Sequence, residues 1–345
     1  MFRHILAATF VGAISLAAAT ATAISAEITL TVHHFLPAGS NAQAGMIEEW
    51  ADRVETASDG RIEVQIYPSM SMGGSPPELY NQVRDGAADI VWTAIGYTPG
   101  VFPRTEVFEL PSVHRGSALA TTRAMNASLD WLAEDFEKVH VLFLHSHDGN
   151  VLFSTGKPVT GFDQLSGRKI RTPSRTGAWL IEAWGAEPVG MPVPDLPQAL
   201  AKGVVDGALV PYEVAPSLKL PELIDSTTAP EGDDRFGTTV FLFAMNKARY
   251  DSLPDDLRAV IDENSGANAA DWVGQVWEED FEEKGRAGLD AANVEHVELG
   301  EDDAARLEEA AGEVVQRWIS EADAKGLDGA DIVERARAAV EAGTE

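Results

Sequence analysis

The segment "GRKIRTPSRTG", residues 167–177, places Arg168, Lys169, Arg171 and Arg175 close together. Cations spaced this tightly form a solvated turn or an anion site, and an arginine grips a carboxylate through two parallel N–H···O bonds. Read as a strand, "RKIRT" alternates Arg168, Ile170 and Thr172 onto one face and Lys169 and Arg171 onto the other, and Pro173 ends it. Arg171 then sits at the C-terminal end of a strand, where open α/β sheets bind their ligands. Two roles remain open for it at this stage, a carboxylate clamp and a buried ion pair with one of the chain's many acids. Arg168 and Lys169 read as a solvated turn.

A second group is "HSHDG", with His145, His147 and Asp148. Two alternate histidines followed by an acid resemble the opening ligands of a binuclear zinc hydrolase, a site that needs further ligands from other loops. The other histidines form no second cluster. The competing reading ends a buried strand with His145 and His147 at the mouth of a cleft and turns the chain at Asp148-Gly149. We adopt that reading and keep a secreted metal-dependent hydrolase as the weaker alternative. No G-x-S-x-G elbow, P-loop or dinucleotide fingerprint occurs.

These cations stand in a polyanion. The chain has 345 residues, 26 Lys+Arg against 55 Asp+Glu and a formal net charge of -29, which argues against binding nucleic acid or anionic lipid. Residues 1–26 combine Arg3, an apolar run from Ile5 to Leu16 and the small residues of "ATAISA", the pattern of a secretory signal cleaved after Ala26. Its loss would remove one cation and leave the mature chain at -30. No later apolar stretch reaches the roughly 18 residues of a membrane span. The chain has no cysteine, hence no disulfide and no thiolate metal site. An exported protein without a cofactor follows.

The elements that must position the cations alternate in type. Met46, Ile47, Trp50 and Val54 share one helix face that stops at Gly60, and "RIEVQIYP" alternates as a half-buried strand. In "SPPEL", Ser75 is an N-cap, Pro76 takes the first helical position and Glu78 completes a capping box. "DIVWTA", "VHVLFLH", "VLFS", "KIRTP", "EPVGMPV", "VVDGALV", "TVFLFAMN" and "VEHVEL" read as further strands. A helical pattern runs from about Pro254 to Leu289, and two acidic amphipathic helices close the chain. The fold class is α/β, with room for two lobes. The absence of a low-complexity linker predicts that strands cross between them more than once.

The pieces "MGGSPPELYNQVRDGAADIVWTAIGY", "FELP", "LSGRKIRTPS", "WGAEPVGMPVPDLPQALAKGVVDGALVP" and "MNKARYDSLPDDLRAVI" resemble, in this order and over nearly the whole mature length, the substrate-binding subunit of TRAP (tripartite ATP-independent periplasmic) transporters, the DctP-like family. The resemblance implies a two-lobed periplasmic solute-binding protein with crossing hinge strands and one long bridging helix. On this pattern lobe I spans 27–149 and is completed by about 238–275, while lobe II spans 150–237 and is completed by about 276–345. It also implies that Arg171, the arginine of the K-I-R-x-P motif, binds the ligand's carboxylate, and that small and large membrane permease subunits are the partners.

Two departures from the family pattern carry information. A second arginine common in the family is matched here by Val151, beside Asn150, and an asparagine before the proline that follows "VDG" is matched by Val210. Bulky residues stand at other cleft positions: Phe35, Trp92, Tyr97, Tyr212 and Phe236, each of which could instead be ordinary core. With His147 and Val193 they complete the candidate set around Arg171. A single charge clamp with apolar walls implies a small monocarboxylate, an aromatic acid ahead of an aliphatic keto or hydroxy acid or a dicarboxylate. The expected protein captures and delivers its ligand without catalysis.

Overall fold

The computed structural model describes residues 26–232 and 234–344, so the expected signal segment lies, Ala26 apart, outside the described residues. Eleven strands occur among them: β1 (Ile28–His34), β2 (Ile62–Tyr67), β3 (Ile90–Ala94), β4 (Val139–Ser146), β5 (Val151–Ser154), β6 (Lys169–Thr172), β7 (Glu187–Gly190), β8 (Gly207–Val210), β9 (Ser226–Ala229), β10 (Val240–Asn246) and β11 (Glu295–Glu298). They form a five-stranded sheet in the order β2-β1-β3-β10-β4 and a six-stranded sheet in the order β11-β9-β5-β8-β6-β7. β1 is parallel to β2 and β3, and β6 is parallel to β7 and β8. β10 and β5 run antiparallel to their neighbours.

Strand composition follows position in the sheet. β3, "IVWTA", lies between two strands and is buried along its whole length, whereas the edge strand β2 alternates Ile62 inward with Glu63 outward. β6 departs from the expected alternation: Ile170, Arg171 and Thr172 are all buried and only Lys169 is exposed. It is flanked by β7 and β8, so both its edges are paired within the sheet. Two strands are absent from the sequence reading, β1 "ITLTVHH", whose register follows β2, and β9 "STTA", which is too short and polar to stand out.

The chain passes between the sheets at β4 to β5, through 147–150, and again at β9 to β10. A bent helix makes a third passage. Its first part, Ala267–Gln275, packs on the helix Ala118–Ala127 and on β4. A wide turn follows at Val276–Phe281, and the last part, Glu282–Ala291, packs on the short turn Tyr212–Val214 after β8. The helix begins at Ala267 and not near Pro254. Asp255–Glu263 is a separate helix, and Gly266 breaks the run at φ 55, ψ -133, a conformation that glycine adopts without a Cβ clash.

The helix Glu301–Ala324 packs on the helix Arg175–Ala183 beside the second sheet. Gly329–Ala342, capped by the Asp328 side chain on the Asp331 amide, turns back and buries Ile332, Val333, Ala336 and Val340 against Ala118–Ala127 and the turn Thr105–Glu109. Its apolar stripe thus covers elements that precede β4 in the chain.

Candidate functional site

A cleft with about 350 Å³ of empty space lies between the sheets. The parallel strands of both sheets point their C-terminal ends at it. β1 leads into Phe35 and Leu36, β3 contributes Trp92 and leads to Tyr97, β6 contributes Arg171, and β8 contributes Val210 and leads to Pro211, Glu213 and Val214. The crossing β4–β5 adds His147 and Asn150, and β10 adds Phe241. Trp92, Val210 and Phe241 are also part of the buried core, and strand ends of this kind are where open α/β sheets bind their ligands.

Arg171 is 2% exposed. Its Nε donates to the Met191 carbonyl and its Nη1 to the Leu209 carbonyl, both at 3.0 Å. Its Nη2 has no partner, and among the described residues no ion pair includes this guanidinium. The buried-ion-pair alternative is thus not realised. Burial lowers its pKa from the usual arginine value, with Tyr97 and Asp195 opposing. A guanidinium stays charged even so, and two carbonyls hold its plane while one nitrogen is left free.

His147 is the second polar group. Its Nδ1 accepts from the Gly149 amide at 3.0 Å, which leaves the ring proton on Nε2, an atom without a partner. Burial, followed by His114, His145, Arg171 and Arg235, holds its pKa well below the ordinary histidine value. At neutral pH it is an uncharged donor. Asn150 contributes a buried Oδ1 that also lacks a partner. Gly149 makes this turn possible: it sits at φ 134, and a Cβ there would lie 2.3 Å from Arg235.

The walls are aromatic. Phe35 stacks on Trp92 with ring centroids 4.8 Å apart, Trp92 stacks on Phe241 at the same distance, and Tyr97 meets Phe35 edge-on at 5.4 Å. The Trp92 indole donates to His145 Nε2 at 2.8 Å. The Tyr97 hydroxyl accepts from the Val193 amide at 2.9 Å and so links the two sides of the cleft.

Of the expected set, Phe35, Trp92, Tyr97, His147, Asn150, Arg171, Val193 and Val210 line the cleft. Val151, Tyr212 and Phe236 do not. Val151 is buried in β5 opposite Val210. Tyr212 packs beneath the bent helix, within a Cβ's width of Gly285 and under the Arg286 guanidinium. Phe236 packs on Trp184 and Phe162. The sequence reading missed Phe241, although it lies in a strand that reading did recognise. It also missed Glu213, which nothing distinguishes among 55 acids.

The zinc alternative loses its geometry. His145 is occupied by Trp92, His147 presents one nitrogen to a backbone amide, and Asp148 pairs with Arg235 at 3.1 Å. Among the described residues no group of three or more His, Asp or Glu side chains is disposed to hold a metal.

Comparison with known proteins accounts for this arrangement. The family model described as "Bacterial extracellular solute-binding protein, family 7", DctP, matches residues 32–321. A TRAP solute-binding protein specific for aromatic acid ligands, from an unidentified marine metagenome microbe and solved with 3-hydroxybenzoate, is 40% identical with a TM-score of 0.90. The match covers 93% of this chain and 100% of that one. A TRAP solute-binding protein from Rhodoferax ferrireducens, solved with copurified benzoate, is 37% identical with a TM-score of 0.88, covering 92% of this chain and 98% of that one. One from Bordetella bronchiseptica, with bound mandelate, is 25% identical with a TM-score of 0.83, covering 91% and 98%. With two α/β sheets, repeated crossings and a cleft built on the arginine of its K-I-R-x-P motif, the chain belongs to the DctP family of bacterial extracellular solute-binding proteins.

Proposed function

We propose that this protein is a periplasmic receptor that captures a small aromatic monocarboxylate and delivers it to the small and large permease subunits of a TRAP transporter. The observation that carries the reading is the buried Arg171 guanidinium, with one nitrogen free, facing a cleft walled by Phe35, Trp92, Tyr97 and Phe241. An anion entering such a site gains a charge-assisted hydrogen bond in a dry setting, and a flat ring gains apolar burial worth about 25 cal/mol per Å². His147 Nε2 offers a second, uncharged donor to the same carboxylate.

Val210 works against dicarboxylates. A second carboxylate at that wall would lose its water and gain no cation, a cost that packing cannot offset. The aromatic acids bound by the similar proteins from the marine metagenome and from Rhodoferax ferrireducens support the same class. The ligand leaves unchanged in this reading, which assigns no catalytic role to any residue. Residues 1–26 act as the cleaved export signal, to be checked by the mass of the exported form.

A thermal-shift comparison tests the ligand class, since a ligand that binds only the native state raises its melting midpoint. Benzoate and 3-hydroxybenzoate should raise it most at equal concentration. A larger shift with succinate would overturn the apolar-wall argument, and a larger shift with pyruvate would move the ligand to small keto acids.

A further inference from the structure

Among the described residues, Glu213 is the one acidic side chain that lines the cleft. It sits in the turn Tyr212–Val214 just past β8 and is 5% exposed. The Asn41 side chain fixes this turn by donating to the Glu213 carbonyl at 3.2 Å. No hydrogen bond or ion pair among the described residues engages the Glu213 carboxyl group itself.

The carboxyl does not serve the clamp. Among the described residues no ion pair joins Arg171 to Glu213, and the acid that bears on Glu213 is Glu282 of the bent helix. Arg171 and Glu213 line the same cavity, together with Phe35, Trp92, Tyr97 and Phe241. A bare ring held by Arg171 would bury that carboxyl group against carbon and leave it without a partner, which is unfavourable.

We propose that Glu213 is a specificity-determining residue that pairs with a hydroxyl group on the ring of the ligand, so that the preferred ligands are hydroxylated aromatic acids. The proposal rests on the aromatic-acid reading above and narrows it. Burial, and then the neighbouring Glu282, push the Glu213 pKa up to about 8. At neutral pH it keeps its proton, so it can donate to a phenolic oxygen or accept from a phenolic hydrogen. A neutral acid also leaves the ligand's own carboxylate unrepelled.

The test is calorimetric titration of the full mature chain with benzoate, 3-hydroxybenzoate and 4-hydroxybenzoate. The wild type should bind at least one hydroxybenzoate about tenfold or more tighter than benzoate. Glu213→Leu should bring that ratio to about one, whereas Glu213→Gln, which keeps size and both hydrogen-bonding roles, should retain most of it. A wild type that binds benzoate and both hydroxybenzoates equally would overturn the role of Glu213 while leaving the aromatic-acid reading in place. The same conclusion would follow from a preference that survives unchanged in Glu213→Leu. Failure of all three acids to bind would instead remove the aromatic-acid reading itself.

Discussion

In the proposed reading Arg171 concentrates the function of the cleft in one side chain, and its environment shows how a charge is held there. The Met191 and Leu209 carbonyls take two of its donors, so the guanidinium is held in place without being neutralised. In the proposed reading a carboxylate ligand would supply the missing countercharge. Arg171→Ala would leave that carboxylate buried alone, at a cost of about 3–5 kcal/mol by analogy with a broken buried pair. Calorimetric titration with the best aromatic acid should therefore find binding nearly abolished. Arg171→Lys should rescue it poorly, because a point charge cannot reproduce a planar fork that is braced at two of its nitrogens. Wild-type affinity in Arg171→Ala would show that the anion is held elsewhere.

The elements matter because the cleft is closed by contacts that join its two sides. Arg175, the fourth cation of "GRKIRTPSRTG", opens the helix after β6 and reaches across to Glu106 through both its Nε and Nη2, with Glu321 as a further partner. The Trp318 indole donates to the same Glu106 carboxylate at 3.1 Å. Nearby, Gly96 lets the sides approach closely, since a Cβ there would lie 2.9 Å from the Pro173 carbonyl. Arg175 is partly exposed, which screens its pair, but Glu106 is only 6% exposed and would be left without its cation. A hinge opening that parts the two sides would break the Arg175–Glu106 contact. Arg175→Ala should thus raise the ligand dissociation rate about tenfold in stopped-flow measurements, with a smaller change in the association rate. An effect confined to association would mean that Arg175 guides entry and does not hold the cleft closed.

At the scale of the whole molecule, two sets of buried titratable groups pull stability in opposite directions. Burial raises Glu109 and Glu213 to about 8 from 4.5, and burial, followed by the neighbouring Glu282, raises Asp148 to about 7 from 3.8 even though it pairs with Arg235. Folding makes these acids bind protons more tightly, so they add stability as pH falls from about 8 toward the ordinary carboxylate range. The histidines act in reverse. Burial lowers His34 and His114 to about 4 and His145 to about 3, from 6.5, and holds His147 well down. Below about 6.5 the unfolded chain takes protons that these native imidazoles refuse, and stability is lost. The melting midpoint should peak near pH 6.5, falling on both sides, when scanned from about pH 4.5 to 9. A steady rise across that range would contradict the protonated state assigned to Glu109 and Glu213.

The sequence by itself determined the α/β class, most of the strands, the capping box at Ser75 and Glu78, which forms with the Ser75 amide 2.7 Å from the Glu78 carboxylate, and the place of Arg171 at a strand end. Each of these rests on local rules: a period of two, a cap three residues from its partner, a proline that ends pairing. The tertiary structure alone decided which large residues meet in the cleft. Alternation assigns side chains to the two faces of a strand, but where both faces are buried it cannot say which one is core and which is cavity. Phe241 thus entered the site unforeseen, while Tyr212 and Phe236 went to the packing beneath the bent helix and beside Trp184. The roles of Arg175 and Glu213 were illegible for a related reason. The partner of Arg175 is 69 residues away at Glu106 and the empty space before Glu213 is bounded by both sheets, so neither exists until the long-range contacts form.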